Sequence, residues 1–262
     1  MAKLNDIFAV LEKVAPVALS DEFCKKYGLY DNSGIIVNCG EEVNGALFSL
    51  DFSLKAVREA INKNYNLIVT HHPAIYGGIN RLDTVNNPQA KAFAECIKHG
   101  ISVISMHLNF DAAPEGIDYN LMRGLGGENP DILDGLPCGG YGRVYKIKPC
   151  KFQDYAKAVA KEFNTSRALY YGDGNKTVKK VASFCGAGCD DKAMAFAKNS
   201  GADVFVSSDM KHHEIAALLE DNINVIHMTH YASENYGFNK IYLKVKDELN
   251  VSSAYFTDGE LI

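Results

Sequence analysis

Apolar residues at Leu4, Ile7, Phe8 and Leu11 recur three and four apart, which predicts a helix over 4–14 that Pro16 ends. After the turn cluster Tyr30-Asp31-Asn32-Ser33-Gly34 the pattern shortens to Ile35-Ile36-Val37, and Ala46 to Asp51 follows as a second strand. Leu54, Val57 and Ile61 then share one face of an amphipathic helix with Ser53 as its N-cap. Leu67-Ile68-Val69 is apolar without alternation, as expected of a strand buried on both faces of a parallel sheet. Pro88 opens another helix through Phe93, Ala94 and Ile97, Gly100 closes it, and Ile101 to Ser105 is a third strand running into Met106-His107-Leu108-Asn109-Phe110-Asp111. Strand, helix and strand in this order predict right-handed parallel crossovers.

Glycine and proline concentrate between Gly124 and Gly140, and the inter-domain connection is placed near the start of that stretch. Beyond it, Arg143 to Ile147 is a strand, Phe152, Tyr155, Val159 and Phe163 mark a helix, and Ala168 to Tyr171 is a strand. The alternation continues with strands at Val181–Phe184, Val204–Val206 and Val225–Met228 and helices at 190–197 and 213–219. A last helical segment follows Thr229-His230, either continuous or broken near Gly237. The fold class is therefore α/β, with two α/β domains at 1–127 and 128–262 built on mainly parallel or mixed sheets. The C-terminal segment is free to pack back on the first domain.

Composition narrows the class. The chain has 262 residues, 47% of them apolar and 23% charged, as in ordinary globular proteins. A net charge of −5 with dispersed Lys and Arg argues against a phosphate-tracking nucleic-acid surface. The first residues alternate polar with apolar, unlike a secretory signal, and no stretch reaches membrane-spanning length. Seven cysteines, an odd number without C-x-x-C spacing, fit free thiols and a cytoplasmic location. Cys185 and Cys189 read as part of a packed turn.

The chemistry lies where strands end. His71 and His72 follow Val69-Thr70, and His107 and Asp111 follow the next strand, so all four share one edge of a parallel sheet, where ligands bind in open α/β folds. Pro73 holds His72 extended, so the two adjacent imidazoles are expected on opposite sides of the backbone, each serving its own ion. His230 and Glu234 are four apart at a helix start and share a face. Together His71, His72, Asp111, His230 and Glu234 make three imidazoles and two carboxylates, a set suited to two divalent ions of zinc, iron or manganese. Water between such ions loses a proton near neutral pH, which points to hydrolysis. His107 is placed in support of the ligands, and His213 or Lys211 as substrate contacts. Asp209 reads as a helix cap. Gly186 and Gly188, between strand and helix, offer a weaker nucleotide-binding alternative that lacks the third glycine of a dinucleotide fingerprint.

Six segments occur in one order: Tyr30-Asp31-Asn32-Ser33-Gly34, Val69-Thr70-His71-His72-Pro73 with Gly77-Gly78, His107 to Asp111, Cys185-Gly186-Ala187-Gly188, Ser208 to Glu214, and His230-Tyr231-Ala232-Ser233-Glu234. This set resembles the NIF-three-like dinuclear metal centre family, many of whose members are labelled GTP cyclohydrolase I type 2. The resemblance spans nearly the whole chain. Tyr30 stands where the family commonly has tryptophan, and Ser208 where glycine is frequent. It implies a toroidal homohexamer of two-domain subunits, with two metal ions in the cleft between domains held by His71, His72, Asp111, His230 and Glu234. It also implies metal-dependent hydrolysis, with ring opening of GTP by metal-activated water as the family label. A phosphoesterase, or a non-catalytic metal-binding scaffold presenting a surface to a protein or nucleic acid partner, are the alternatives.

Overall fold

The computed structural model describes all residues, Met1–Ile262. The chain begins with β1 (Ala2–Lys3), α1 (Leu4–Val14), α2 (Val17–Tyr27), β2 (Gly34–Val37), β3 (Glu42–Val43), β4 (Gly45–Ser49) and α3 (Leu54–Asn62). It continues through β5 (Leu67–Thr70), α4 (Pro88–Lys98), β6 (Ser102–Ser105), α5 (Leu108–Ala112), α6 (Ile117–Gly124), β7 (Glu128–Gly135), β8 (Gly140–Lys151) and α7 (Phe152–Glu162). The remaining elements are β9 (Leu169–Tyr171), β10 (Thr177–Ser183), α8 (Asp191–Asn199), β11 (Val204–Ser207), α9 (His212–Glu220), β12 (Asn224–His227), α10 (His230–Val245) and β13 (Ser252–Phe256). Two compact units result: Met1–Ala113 with Phe238–Thr257, and Pro114–Gly237 with Asp258–Ile262. No helix is long and apolar enough to cross a membrane.

The first unit carries a five-stranded sheet in the order β13-β4-β5-β6-β2, parallel except for β2 at the edge. Leu67, Ile68 and Val69 are fully buried in its middle strand, as their unbroken apolar run requires. On one face α3 and α4 bring Ala56, Val57, Ala60, Ala92 and Phe93 against Leu47, Ile68 and Val103. Both helices are capped as their sequences indicate: Ser53 Oγ accepts from the Ala56 N–H at 3.1 Å, and Asn87 caps the helix that Pro88 opens. Aromatic side chains gather about Phe238, whose ring lies 6.0 Å from those of Phe48 and Phe110 and 5.8 Å from Tyr255. Register aligns Ser49 with Thr70 and Thr70 with Ser105, so β4, β5 and β6 end together. A buried hydroxyl pair, Thr70 Oγ1 to Ser105 Oγ at 2.8 Å, fixes that edge.

The second unit is a six-stranded mixed sheet, β7-β8-β10-β11-β12-β9, with β10, β11 and β12 parallel at its centre and antiparallel strands on both sides. Ala182, Phe205 and Val225 of the three central strands pack with Ala193, Ala197, Ile215 and Leu218 of α8 and α9. Asp190 Oδ1 caps α8 through the Ala193 N–H at 2.8 Å.

Three features differ from the sequence pattern, and one of its alternatives, the continuous last helix, is the one adopted. Helix α2 was not legible, because only Leu19 and Ser20 of it are buried and its apolar stripe is too thin to register. The Gly/Pro-rich stretch between Gly124 and Gly140 builds the β7–β8 hairpin, its glycines serving turns inside one unit. Helix α10 passes Gly237 without a break; a Cβ there would come 2.7 Å from Ile117 Cα, so glycine answers a close backbone approach. Finally, the chain does not stay extended after β5. The N–H groups of His71 and His72 both donate to the Leu50 carbonyl, at 3.1 and 3.0 Å, which curls the backbone and brings the two imidazoles together, with ring centroids 4.9 Å apart. The expectation that they point to opposite sides is thereby corrected.

The seven cysteines are free. Burial pushes the Cys96 thiol up to about 12, with the nearby Cys39 adding to the shift, whereas Cys138 is exposed near the tip of the hairpin. Alkylation follows the thiolate. Brief treatment of the native protein with iodoacetamide near pH 8 is therefore expected to label Cys138 first and to spare Cys96, as peptide mass mapping would show.

Candidate metal centre

Because β4, β5 and β6 end in register, the residues immediately after them emerge at one edge of the first sheet. His71 and His72 leave β5, and His107 leaves β6. Each of these three histidines can offer one ring nitrogen such that the three atoms lie within 4.8 Å of one another. Their ring centroids are separated by 4.9, 5.2 and 5.8 Å. Asp111, buried on α5, joins them from the same unit with Oδ1 3.5 Å from His71 Nε2. Helix α5 begins just after His107 and turns Asp111 back, its N–H donating to the His107 carbonyl at 3.1 Å.

The orientation of each imidazole is fixed from behind. His71 is fully buried and its Nδ1 lies 3.0 Å from the Met106 carbonyl, which can only accept, so Nδ1 carries the proton. His72 Nδ1 meets Asp51 Oδ1 at 2.7 Å, and His107 Nδ1 meets Asp31 Oδ1 at 2.7 Å. Asp31 is itself held: its other oxygen accepts from Ser20 Oγ at 2.5 Å and Ser33 Oγ at 2.7 Å. Burial alone would raise the Asp31 pKa. The His107 bond and charge, joined by the two hydroxyls, outweigh it and hold the carboxyl well below its ordinary range.

The second unit repeats the arrangement at its own strand ends. His230 and Glu234 sit one turn apart at the start of α10, with His230 Nε2 3.0 Å from Glu234 Oε1. His230 Nδ1 meets Asp209 Oδ2 at 2.6 Å. Asp209 follows β11 with φ +52°, a left-handed conformation that aspartate tolerates better than most residues. It is not a helix cap: Lys211 precedes α9 in that role, with Glu214 Oε2 returning to its N–H at 2.7 Å. The capping expectation for Asp209 is thus corrected. His213 is exposed on α9. The Cys185–Cys189 segment is a packed turn, with Cys185 buried.

All four imidazoles therefore have Nδ1 committed to an oxygen acceptor, which in the neutral ring leaves Nε2 as a lone pair. That is how proteins prepare histidine for a metal ion, the outer oxygen fixing both tautomer and ring direction. With the carboxylates Asp111 and Glu234 and no thiolate among them, the donors suit borderline divalent ions such as zinc, iron or manganese. The residues fit a metal. The orienting aspartates Asp31, Asp51 and Asp209 are not found by ligand spacing. Their signal is positional: Asp51 and Asp209 come just after strand ends, and Asp31 precedes β2, whose start pairs with the end of β6.

The protein is thus an α/β fold with groups of imidazole and carboxylate donors, near the carboxyl ends of parallel strands, that could hold a metal ion. The family model DUF34/NIF3 (NGG1p interacting factor 3) matches residues 2–258, and the chain belongs to that family. A Clostridium perfringens protein named GTP cyclohydrolase 1 type 2 homolog is 28% identical over 263 residues, covering 98% of this chain and 97% of that protein. A Clostridium acetobutylicum protein of the same name is 28% identical over 238 residues, 88% of this chain and 85% of its own. Among solved structures, Staphylococcus aureus protein SA1388 superposes with a TM-score of 0.84 at 24% identity, covering 98% of this chain and 97% of that one. Reduced HcgD from Methanocaldococcus jannaschii gives 0.80 at 24% identity, with 98% of each chain covered. At these identities the structures establish the shared fold.

Proposed function

We propose that the donors of the two units act together on a pair of divalent ions, and that the protein is a metal-dependent hydrolase whose substrate class is purine nucleotides such as GTP. The observation that carries this is the common orientation of His71, His72, His107 and His230, each with Nδ1 held by an oxygen, so that Nε2 is the nitrogen a metal ion would take, and with the carboxylates of Asp111 and Glu234 beside the Nε2 atoms of His71 and His230. His71, His72, Asp111, His230 and Glu234 are the proposed ligands. His107 is proposed to support them, its ring held beside His71 and His72 by Asp31. The nucleotide class comes from the names of the relatives, GTP cyclohydrolase 1 type 2 homolog.

Divalent ions in such a set supply Lewis-acid polarisation and an acidified water near neutral pH. The chain's own residues do the rest. Asp51, Asp31 and Asp209 hold three rings in the coordinating tautomer and would balance positive charge as it arrives. Buried His71 and Asp111 keep bulk water from that side, which strengthens every electrostatic contact there.

Turnover is tested with untagged protein, reconstituted with zinc, iron or manganese and given GTP while formate and phosphate are both measured. Metal-dependent formate release, lost in His71→Ala, is the expected result. Phosphate release alone would replace ring opening with phosphoanhydride cleavage. Stoichiometric metal with neither product across a nucleotide and phosphodiester panel would contradict the hydrolase and favour a non-catalytic metal-binding scaffold. The implied homohexamer is checked in the same preparation by light scattering, with six subunits expected.

A further inference from the structure

In the second unit, the loop after β10 is bonded at every backbone polar atom of two consecutive residues. The Cys185 N–H donates to Asp118 Oδ1 at 3.0 Å, and its carbonyl accepts from the Tyr141 hydroxyl at 2.5 Å. The Gly186 N–H donates to Ser233 Oγ at 3.1 Å. The Gly186 carbonyl accepts from the Ser208 hydroxyl at 2.5 Å, the Ser207 hydroxyl at 3.2 Å and the Ser208 N–H at 3.2 Å. Four elements thus hold one peptide segment, far more than a connecting loop needs.

What the loop presses against gives this a purpose. Gly186 has φ +59°, and a Cβ built on it would stand 2.3 Å from Glu234 Oε1 and 3.4 Å from His230 Nε2. The glycine backbone is therefore a wall against which the Glu234 carboxylate lies, and any side chain would displace that carboxylate. Behind the wall is an ion pair shielded from solvent. Asp118 is fully buried and Arg143 nearly so. The second Asp118 oxygen accepts from the Gly142 N–H at 2.9 Å and from the Arg143 guanidinium, which also donates to the Gly140 carbonyl at 3.0 Å. Buried ion pairs seldom stabilise a fold better than apolar side chains of the same size, so their value is sought in the geometry they impose. Here that geometry ends at Glu234.

We infer that the Asp118–Arg143 pair is a positioning device for Glu234, acting through the Cys185–Gly186 backbone, and that it sets the affinity and coordination geometry of a metal ion at the His230–Glu234 pair. Neither Asp118 nor Arg143 is among the proposed ligands. The inference rests on the metal function proposed above and adds the residues that tune it.

The test uses the full chain, stripped of metal and titrated with Co²⁺. Its visible absorption bands report coordination geometry, and competition with a chelating dye reports affinity. Gly186→Ala and Asp118→Asn are expected to weaken cobalt binding about 10–100-fold, the range for loss of an outer partner, and to change the bands. Leu218→Ala, a core truncation elsewhere in the same unit, is expected to lower the melting temperature while leaving bands and affinity as in wild type. Should Asp118→Asn fail to fold, Gly186→Ala still tests the step on which the pair's role depends, the seating of Glu234 against the loop backbone. Wild-type bands and affinity in folded Asp118→Asn, or in folded Gly186→Ala, would overturn the inference while leaving the metal function standing. A wild type that takes up no cobalt would overturn both.

Discussion

Replacing His71 by alanine is expected to cost more metal affinity than removing any of the orienting aspartates, so by more than roughly 100-fold. His71 is fully buried, with Nδ1 tied to the Met106 carbonyl and Nε2 facing Asp111. No rotation of a neighbour replaces it, because the His72 and His107 rings are each pinned by their own aspartate. Removing Asp51 or Asp31 instead leaves the ligand nitrogen in place and frees only the ring's orientation, for which about 10–100-fold is the ordinary loss. Isothermal titration of metal-free protein with Zn²⁺ separates the two classes. Equal losses in His71→Ala and Asp51→Ala would mean that ring orientation, and not the His71 nitrogen, controls binding. The same titration repeated at lower pH should show weaker binding throughout, since metal must displace protons from the imidazoles.

Phe238→Ala is expected to be a severely damaging change to the first unit's core, at about 3–5 kcal/mol. Phe238 is fully buried and its ring sits among those of Phe48, Phe110, Tyr255 and His71, the last with centroids 6.2 Å apart. Truncation would leave a cavity bounded by flat rings on several sides, which rigid neighbours cannot close. Against a total stability of about 5–15 kcal/mol for a domain, such a loss is large. Urea denaturation of the metal-free protein measures it. Because His71 borders the same cavity, Phe238→Ala should also weaken Zn²⁺ binding. A stability loss under about 1 kcal/mol would show that the surrounding rings collapse into the space.

The sequence is most legible where one physical demand dominates. Leu67-Ile68-Val69 has to be a strand buried on both faces, and Ser53 and Pro88 mark helix starts by hydrogen-bonding chemistry that needs no tertiary context. The strand-end histidines are legible for the same reason: parallel strands deliver the residues at their carboxyl ends to one edge. The features that escaped depend on contacts distant along the chain. The shared Leu50 carbonyl that curls His71 and His72 belongs to the neighbouring strand's exit, and no local rule predicts it. The left-handed turn at Asp209 makes it a partner of His230, twenty-one positions later. Gly186 looked like a weak phosphate loop because a glycine that admits a ligand and one that admits a neighbouring carboxylate have the same sequence signature. Helix α2, with few buried residues, carries too little apolar pattern to be seen.

The proposed function requires that prepared donors from both units hold two divalent ions. It is tested most directly by plasma mass spectrometry of metal bound per subunit, on protein purified without a histidine tag and on the double variant His71→Ala with Glu234→Ala. Near two equivalents of zinc, iron or manganese are expected in the wild type, with loss of both in the double variant. No stoichiometric metal in wild-type protein, either freshly purified or after reconstitution, would contradict it.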